Sequence, residues 1–478
     1  MRKTVVAGMT ALLSGCSLAP AYLPPATPIP AQYAATPMAV ASGAAASEVA
    51  WRDYFGDERL QGLIAAALAN NRDLEAATAR IDQARARYRI EDADRLPAVG
   101  VGAGATRSRT PLNVTGLDDE LGEAVPELPE AITSDQYSAQ VAVSAFELDF
   151  WGRVRNMSEA SRRQYLATVE AQSAFRLSLI GEVASTYFAI RSGEEGVVLA
   201  ERSLASRRRA LEIARLRADA GVTASMDVDQ AELLATQAET ELAELRRTTG
   251  QRRNQLEVLV GGPMDQILPE GRALDDPAQV LDLDPGLPSE LLLARPDVRQ
   301  AEQLLRGANA SIGAARAAFF PSISLTGALG VASPELDSLF EGNTERWSFG
   351  GAINLPIFDN GARRARLAEA EAKQDELVAS YQKTVQTAFR EVSDALVARQ
   401  RYEEQIAAQI RTVAAQRRLA ETAQLRYDNG VALYLQVLDA ERNLFTAEQQ
   451  LVRLRASRLQ ADVSLYVALG GGEAAEGG

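Results

Sequence analysis

The chain has 478 residues, a net charge of −14 and no histidine. The missing histidine removes Ser-His and Cys-His nucleophile systems, His-type zinc sites and histidine general bases together, and the acidic balance argues against nucleic-acid binding, which needs a basic face. A single cysteine rules out an internal disulfide, and no apolar run reaches the roughly eighteen residues of a membrane-spanning helix.

At the start, Arg2 and Lys3 precede a short apolar stretch, Val5 to Leu13, closed by Leu13-Ser14-Gly15-Cys16. A positive start, an apolar middle and a small-residue exit make residues 1–15 a signal peptide. Leu-Ser-Gly-Cys resembles the bacterial lipobox. That resemblance implies cleavage before Cys16, a diacylglycerol thioether on its sulfur and an N-acyl chain on the new amino terminus, which together form a stable membrane anchor. Ser17 stands where an Asp would resemble an inner-membrane retention signal, so the outer membrane is favoured. Residues 16–56 form an arm, of which Pro20 to Pro37 reads as an extended tether.

A first half, 57–262, opens with helical sequence and reaches two runs of alternating character near 97–108 and 136–147. Val99, Val101, Ala103 and Ala105 alternate with Gly100, Gly102, Gly104 and Thr106; Tyr137, Ala139, Val141, Val143 and Ala145 alternate with Ser138, Gln140, Ala142 and Ser144. This period of two marks strands with one apolar face and one small or polar face. Gly100-Val101-Gly102-Ala103-Gly104 is no phosphate loop, because it lies in such a strand and lacks the Lys-Ser/Thr that follows one. Between the runs lies an acidic, proline-containing loop with Asp118, Asp119, Glu120, Glu123, Glu127 and Glu130. From Arg153 to Asp219 there is no proline, enough for an unbroken helix of roughly 100 Å. Leu177, Ile180, Ala184 and Tyr187 make its coiled-coil seam, and Gly181, Gly193 and Gly196 are expected to loosen it. Ala220-Gly221-Val222-Thr223 turns the chain into a second long helix, near position 221.

A connection, 263–288, leads to a second half, 289–471, which repeats the first. Leu216-Arg217-Ala218-Asp219-Ala220-Gly221-Val222 returns as Leu425-Arg426-Tyr427-Asp428-Asn429-Gly430-Val431, and Gly261-Gly262 as Gly470-Gly471, at a constant offset of 209 residues. Nearer the start, Leu96-Pro97 matches Phe320-Pro321 at 224, so the fifteen extra residues of the first half lie in the acidic loop. A period this long means a duplicated half-protein. Strands recur near 321–332 and 346–357, where Ile323, Leu325, Leu329 and Val331, then Trp347, Phe349, Ile353 and Leu355, alternate with small or polar residues. The second seam holds Val385, Phe389, Val392 and Leu396, and the turn falls near 430. Residues 472–478 read as a flexible tail.

Runs of about ten residues suit tilted strands that cross a bilayer. Four strands cannot close a barrel, so either several chains build one together or the strands never enter lipid.

The duplicated hairpins, four strands, lipobox and C-terminal Leu469-Gly470-Gly471-Gly472 together resemble the TolC-like outer-membrane factors, in their lipoprotein branch called NodT-type or OprM-like. The most specific piece is Leu425 to Val431 followed by Tyr434-Leu435-Gln436-Val437-Leu438-Asp439-Ala440-Glu441-Arg442-Asn443-Leu444. The resemblance covers nearly the whole mature chain. It implies a mixed α and β fold in which long helical hairpins form a periplasmic α-barrel, and four strands per chain close a twelve-stranded barrel in a homotrimer. A mixed equatorial belt would draw on the arm, the connection and the C-terminus.

The implied function is a passive exit duct in the outer membrane, working with a periplasmic adaptor and an inner-membrane transporter of the RND type to expel small toxic compounds. It would carry no enzymatic activity, and no cofactor besides the lipid on Cys16. A protein-secretion duct of the type I kind is the alternative within the class; a periplasmic coiled-coil lipoprotein scaffold or adaptor is the alternative outside it. Resemblance also places the adaptor contact at Gly221, Val222, Gly430 and Val431. It puts the periplasmic aperture at Leu435, Asp439 and Arg442, spaced four and three along one helical face, with Tyr427 beside it. Ala432 and Gln436 depart from the TolC branch, which has an Arg and a second Asp there, so a Tyr–Arg latch of that kind is not expected.

Overall fold

The computed structural model describes residues 17–30, 44–45, 49–111, 131–263, 269–284 and 295–471. Cys16, the acidic loop Asp118–Glu130, the ends of the connection and the tail 472–478 lie outside the described residues. In chain order the elements are β1 (Ala44–Ala45), α1 (Trp51–Tyr54), α2 (Glu58–Asn70), α3 (Arg72–Ala93), β2 (Val99–Pro111), β3 (Ala131–Glu147), α4 (Arg153–Asp219) and α5 (Ser225–Val260). Then follow β4 (Leu283–Asp284), α6 (Pro296–Ala317), β5 (Ser322–Ser333), β6 (Glu345–Asn354), α7 (Ala362–Asp428) and α8 (Tyr434–Ala468). The fold is the mixed, duplicated one that the resemblance implies. The helices α4 and α7 each have 67 residues and fill the two proline-free spans. Among the described residues all six glycines with positive φ fall into three pairs at the repeat offset: Gly152 and Gly361, Gly221 and Gly430, Gly261 and Gly470.

The chain forms two compact units. One holds Gln83–Tyr165 and Gln303–Val378 with the residues up to Pro24, and is built on an antiparallel sheet in the order β2-β3-β5-β6. Register puts Val101, Val141 and Leu329 in line across three strands, with Trp347 opposite Leu329, so one apolar face runs across the sheet. That face is open: Val101 is 85 % and Trp347 76 % exposed. The alternation fails at one point. A bulge between Val143 and Phe146, with Ala145 at φ 49, takes Ala145 out of step and sets Phe146 opposite Leu325 on the apolar side.

The other unit holds Pro25–Asp82, Leu166–Glu302 and Ala379–Gly478. Its core gathers the arm (Trp51, Tyr54, Phe55), the connection (Leu274, Leu283), the seams of α4 and α7, and the end of α8 (Tyr466, Leu469). Leu177, Ile180, Ala184, Tyr187, Val385 and Val392 are buried there, and Phe389 and Leu396 pack against it. Tyr54 stacks on Tyr466 at 4.4 Å, Tyr54 Oη donates to Asp462 O at 2.8 Å, and Tyr466 Oη to Val49 O at 3.1 Å.

The helix α4 runs unbroken through its glycines, and two of them serve close approach. A Cβ at Gly181 would lie 2.7 Å from Val467 Cγ2, and one at Gly193 2.2 Å from Thr249 Oγ1.

Asp57 joins three segments. Its Oδ1 caps α2 by accepting from Arg59 N and Leu60 N, while Oδ2 accepts from Tyr187 Oη at 2.7 Å and Arg272 N at 2.9 Å. Asp57→Ala removes the cap and leaves two donors without an acceptor. Roughly 2–4 kcal/mol of stability should be lost, read as a lower melting temperature; an unchanged one would show that the three segments are held elsewhere.

Asp462 on α8 is buried between Arg399 and Arg458, at 3.5 and 3.4 Å. Burial outweighs both arginines and pushes its carboxyl up to about 6. An unfolded Asp titrates near 4, so between about 4 and 6 the folded chain keeps a proton that the unfolded chain has lost, and this group's contribution to stability falls as pH rises through that window. Wild-type protein should therefore lose more stability than Asp462→Asn between pH 4.5 and 7.5. Parallel melting curves for the two would count against a titrating Asp462.

Candidate functional site

The two hairpin ends are built alike. After α4, Gly221 N donates to Ala218 O and Val222 N to Arg217 O, both at 2.9 Å; after α7, Gly430 N donates to Tyr427 O at 2.9 Å and Val431 N to Arg426 O at 3.0 Å. This paired closure of the last carbonyls is the Schellman motif, whose glycine needs the left-handed backbone, and Gly221 and Gly430 have φ of +73 and +74. Nothing lies within 4 Å of a Cβ added at either. Conformation alone calls for glycine there. The next residues carry apolar side chains into solvent: Val222 is 71 % and Val431 65 % exposed, and Leu433 is exposed as well.

The first turns of α8 hold the other sequence-predicted residues. Leu435, Asp439 and Arg442 share a face, and Arg442 Nη2 lies 3.2 Å from Asp439 Oδ1 with both side chains about half exposed (52 and 51 %). An exposed pair at this spacing is worth only a few tenths of a kcal/mol. The Asp439 carboxylate therefore stays in solvent, beside a cation that offsets part of its field.

Tyr427 is not idle. Its ring meets Tyr434 at 4.7 Å, and the Arg217 guanidinium lies 5.0 Å from its centre. The first hairpin thus reaches the second by a cation–π contact, from a position other than the one where the TolC branch has its arginine. Burial raises the Tyr434 phenol to about 12, with Glu441 and Tyr427 adding to the effect.

Further along, Ser206 Oγ donates to Glu441 Oε2 at 2.8 Å, and the buried Arg207 donates to Leu234 O at 3.0 Å. Burial lowers the pKa of Arg207, against the pull of Glu241 and Glu441. Sequence reasoning missed Arg217, Ser206 and Arg207. Only Arg217 left a sign, because it occupies the repeat position of Arg426. The duplication extends to single contacts: Arg208–Glu239 at 2.8 Å and Arg417–Glu448 at 2.7 Å are the same ion pair 209 residues apart.

Comparison with known proteins agrees with this architecture. The family model described as outer membrane efflux protein matches residues 63–262 and 287–471, one match per repeat. The chain is 41 % identical over 464 residues to the antibiotic efflux pump outer membrane protein ArpC of Pseudomonas putida, covering 96 % of this chain and 93 % of that one. It is 39 % identical over 463 residues to the cation efflux system protein CusC of Escherichia coli, covering 96 % of each. Among solved structures it is similar to the open state of the Neisseria gonorrhoeae MtrE outer membrane channel, with a TM-score of 0.86, 36 % identity, and coverage of 96 % of this chain and 98 % of that one.

Proposed function

Because the chain belongs to the outer membrane efflux protein family, we propose that it is the outer-membrane exit duct of an efflux pump, passively conducting small toxic compounds delivered to it from the inner membrane. The open sheet carries this reading. An apolar face exposed over four strands, with β2 and β6 as edges unpaired among the described residues, is unstable in water. A ring of three chains in lipid removes both problems, giving twelve strands and no edge.

Gly100, Gly102, Ser138 and Gln140 on the opposite face leave a wet lumen. The hairpin ends, Gly221-Val222 and Gly430-Val431, meet a periplasmic adaptor, and Leu435, Asp439 and Arg442 line the aperture with Tyr427 beside it. The energy comes from an inner-membrane transporter of the RND type. Cys16 carries the diacylglycerol thioether and N-acyl chain, and the lipid holds the chain in the outer membrane from the periplasmic side. A type I secretion duct has the same physics and differs in cargo. A periplasmic scaffold would have no use for the exposed apolar sheet.

Two measurements test the reading. Purified protein should be a detergent-requiring trimer that conducts ions in planar bilayers. It should also restore drug resistance to a strain that lacks its own duct but keeps an adaptor and pump. A water-soluble monomer without conductance would refute the duct, and export of a protein instead of drugs would favour the secretion reading. Mass spectrometry of the mature chain should find residue 16 acylated at its start; an unmodified Cys16 would remove the anchor.

A further inference from the structure

Residues 17–22 are seated, not tethered. Ser17 Oγ donates to Asn156 Oδ1 at 3.0 Å. Asn309 Nδ2 donates to Pro20 O at 2.8 Å, and Gln374 Nε2 holds the other end of that amide at 3.2 Å. The Arg306 guanidinium lies 5.0 Å from the centre of the Tyr22 ring. Two glycines make the room: a Cβ at Gly313 would lie 2.8 Å from both Cα and Cβ of Ala19, and one at Gly152 3.3 Å from Cα of Ser17. Asn156 and Asn309 are only 5 % and 7 % exposed. Buried amides need partners, and each of these two spends one end on a strip of arm. A free leash of proline and alanine would require none of this.

The strip begins beside an aromatic step. Gly152 follows Trp151, which stacks on Phe320 at 4.6 Å and donates its indole N–H to Pro321 O at 2.9 Å. Phe150, Phe319 and Phe320 leave a good part of their rings uncovered. All of them sit where β3 ends and β5 begins. Cys16 is one peptide before Ser17, so the two Cα atoms are about 3.8 Å apart. Asn156 Nδ2 is buried there without an acceptor among the described residues, 3.4 Å from a Cβ placed on Gly152.

We propose that this corner is a binding site for the lipid on Cys16. Its acyl chains lie along the Trp151–Phe320 step, and Asn156 Nδ2 donates to a carbonyl of the acylated residue. The anchor then becomes a fixed part of the sheet's end, and it sets the depth at which the strands meet the bilayer. This rests on the lipidation proposed above.

The test uses the full chain in its own membrane. Cells are fed a fatty acid bearing a diazirine, membranes are irradiated, and peptides joined to the Cys16 peptide are identified by mass spectrometry. The expected cross-links run to peptides containing Phe150–Trp151 or Phe319–Phe320. They should fall several-fold in Gly313→Leu, whose side chain would meet Asn156 Nδ2 at 2.6 Å and Ala19 at 2.8 Å and so displaces both. Asn309→Ala, which removes the bond to Pro20 O and the one from Gln374 but adds no bulk, should reduce them too. Tagged Cys16 with cross-links scattered over other segments, or cross-links unchanged in both variants, overturns the seat while sparing the lipidation. Absence of the tag from Cys16 overturns both.

Discussion

Val431→Glu is expected to return drug susceptibility to that of a strain lacking the duct, while the variant reaches the outer membrane in wild-type amount. Val431 is exposed at the end of α7, and its structural duty is performed by its backbone, which donates to Arg426 O. A glutamate keeps that bond at a position that is mostly in solvent, so the fold should change by no more than about 0.5 kcal/mol. At a helix-tip interface the same carboxylate would be stripped of water with no cation provided for it, a penalty of several kcal/mol. At roughly 1.4 kcal/mol for each tenfold in affinity, that is enough to dissolve a contact. Val222→Glu, on the repeat-related end, asks whether both hairpins are used. Trimers carrying Val431→Glu that still confer full resistance would place the adaptor elsewhere.

Asp439→Ala is expected to lower the preference of the channel for cations, and Asp439→Ala with Arg442→Ala to raise its open conductance. In the proposed ring, three copies bring three carboxylates to one level of the pore, where like charges raise the local cation concentration. The observed pair lies within a single helix, so each Arg442 stands beside its own carboxylate and offsets part of the ring's field. In the single variant three arginines remain and should turn the preference toward anions. In the double variant both charge and bulk are gone. Single-channel recordings at low and high salt separate the effects, since screening over about 10 Å at 0.1 M weakens the first and not the second. Unchanged selectivity and conductance would take Asp439 out of the aperture.

The long elements could be read because their signals are local. A span of 67 residues without proline can hold α4 and α7, and a period of two with one apolar face announces β2, β3, β5 and β6. Repetition makes the turns at Gly221 and Gly430 support each other in the sequence alone. What the sequence hides is tertiary. Nothing near Gly181 or Gly193 in sequence announces Val467 and Thr249 packed against them, and Ala145 looks like one more strand residue until the β5 register demands a bulge. Asp57 gives no hint in sequence that it will bind Tyr187 and Arg272, because those contacts span 130 and 215 positions. Arg217 was visible as a repeated residue but not as the partner of Tyr427. The two are far apart in the chain, and only the fold of one hairpin on the other joins them.

The two open edges of the sheet carry a genetic consequence. In the proposed ring of three identical chains every seam would be the same one, β2 of one chain against β6 of the next, so a chain with a spoiled edge would damage a neighbour that is itself intact. In a cell making normal and edge-defective chains in equal amounts, random mixing leaves only about one ring in eight free of the defect. Defects at β2 or β6 would then behave as dominant, and a buried defect such as Asp57→Ala, whose chain fails before it meets another, as recessive.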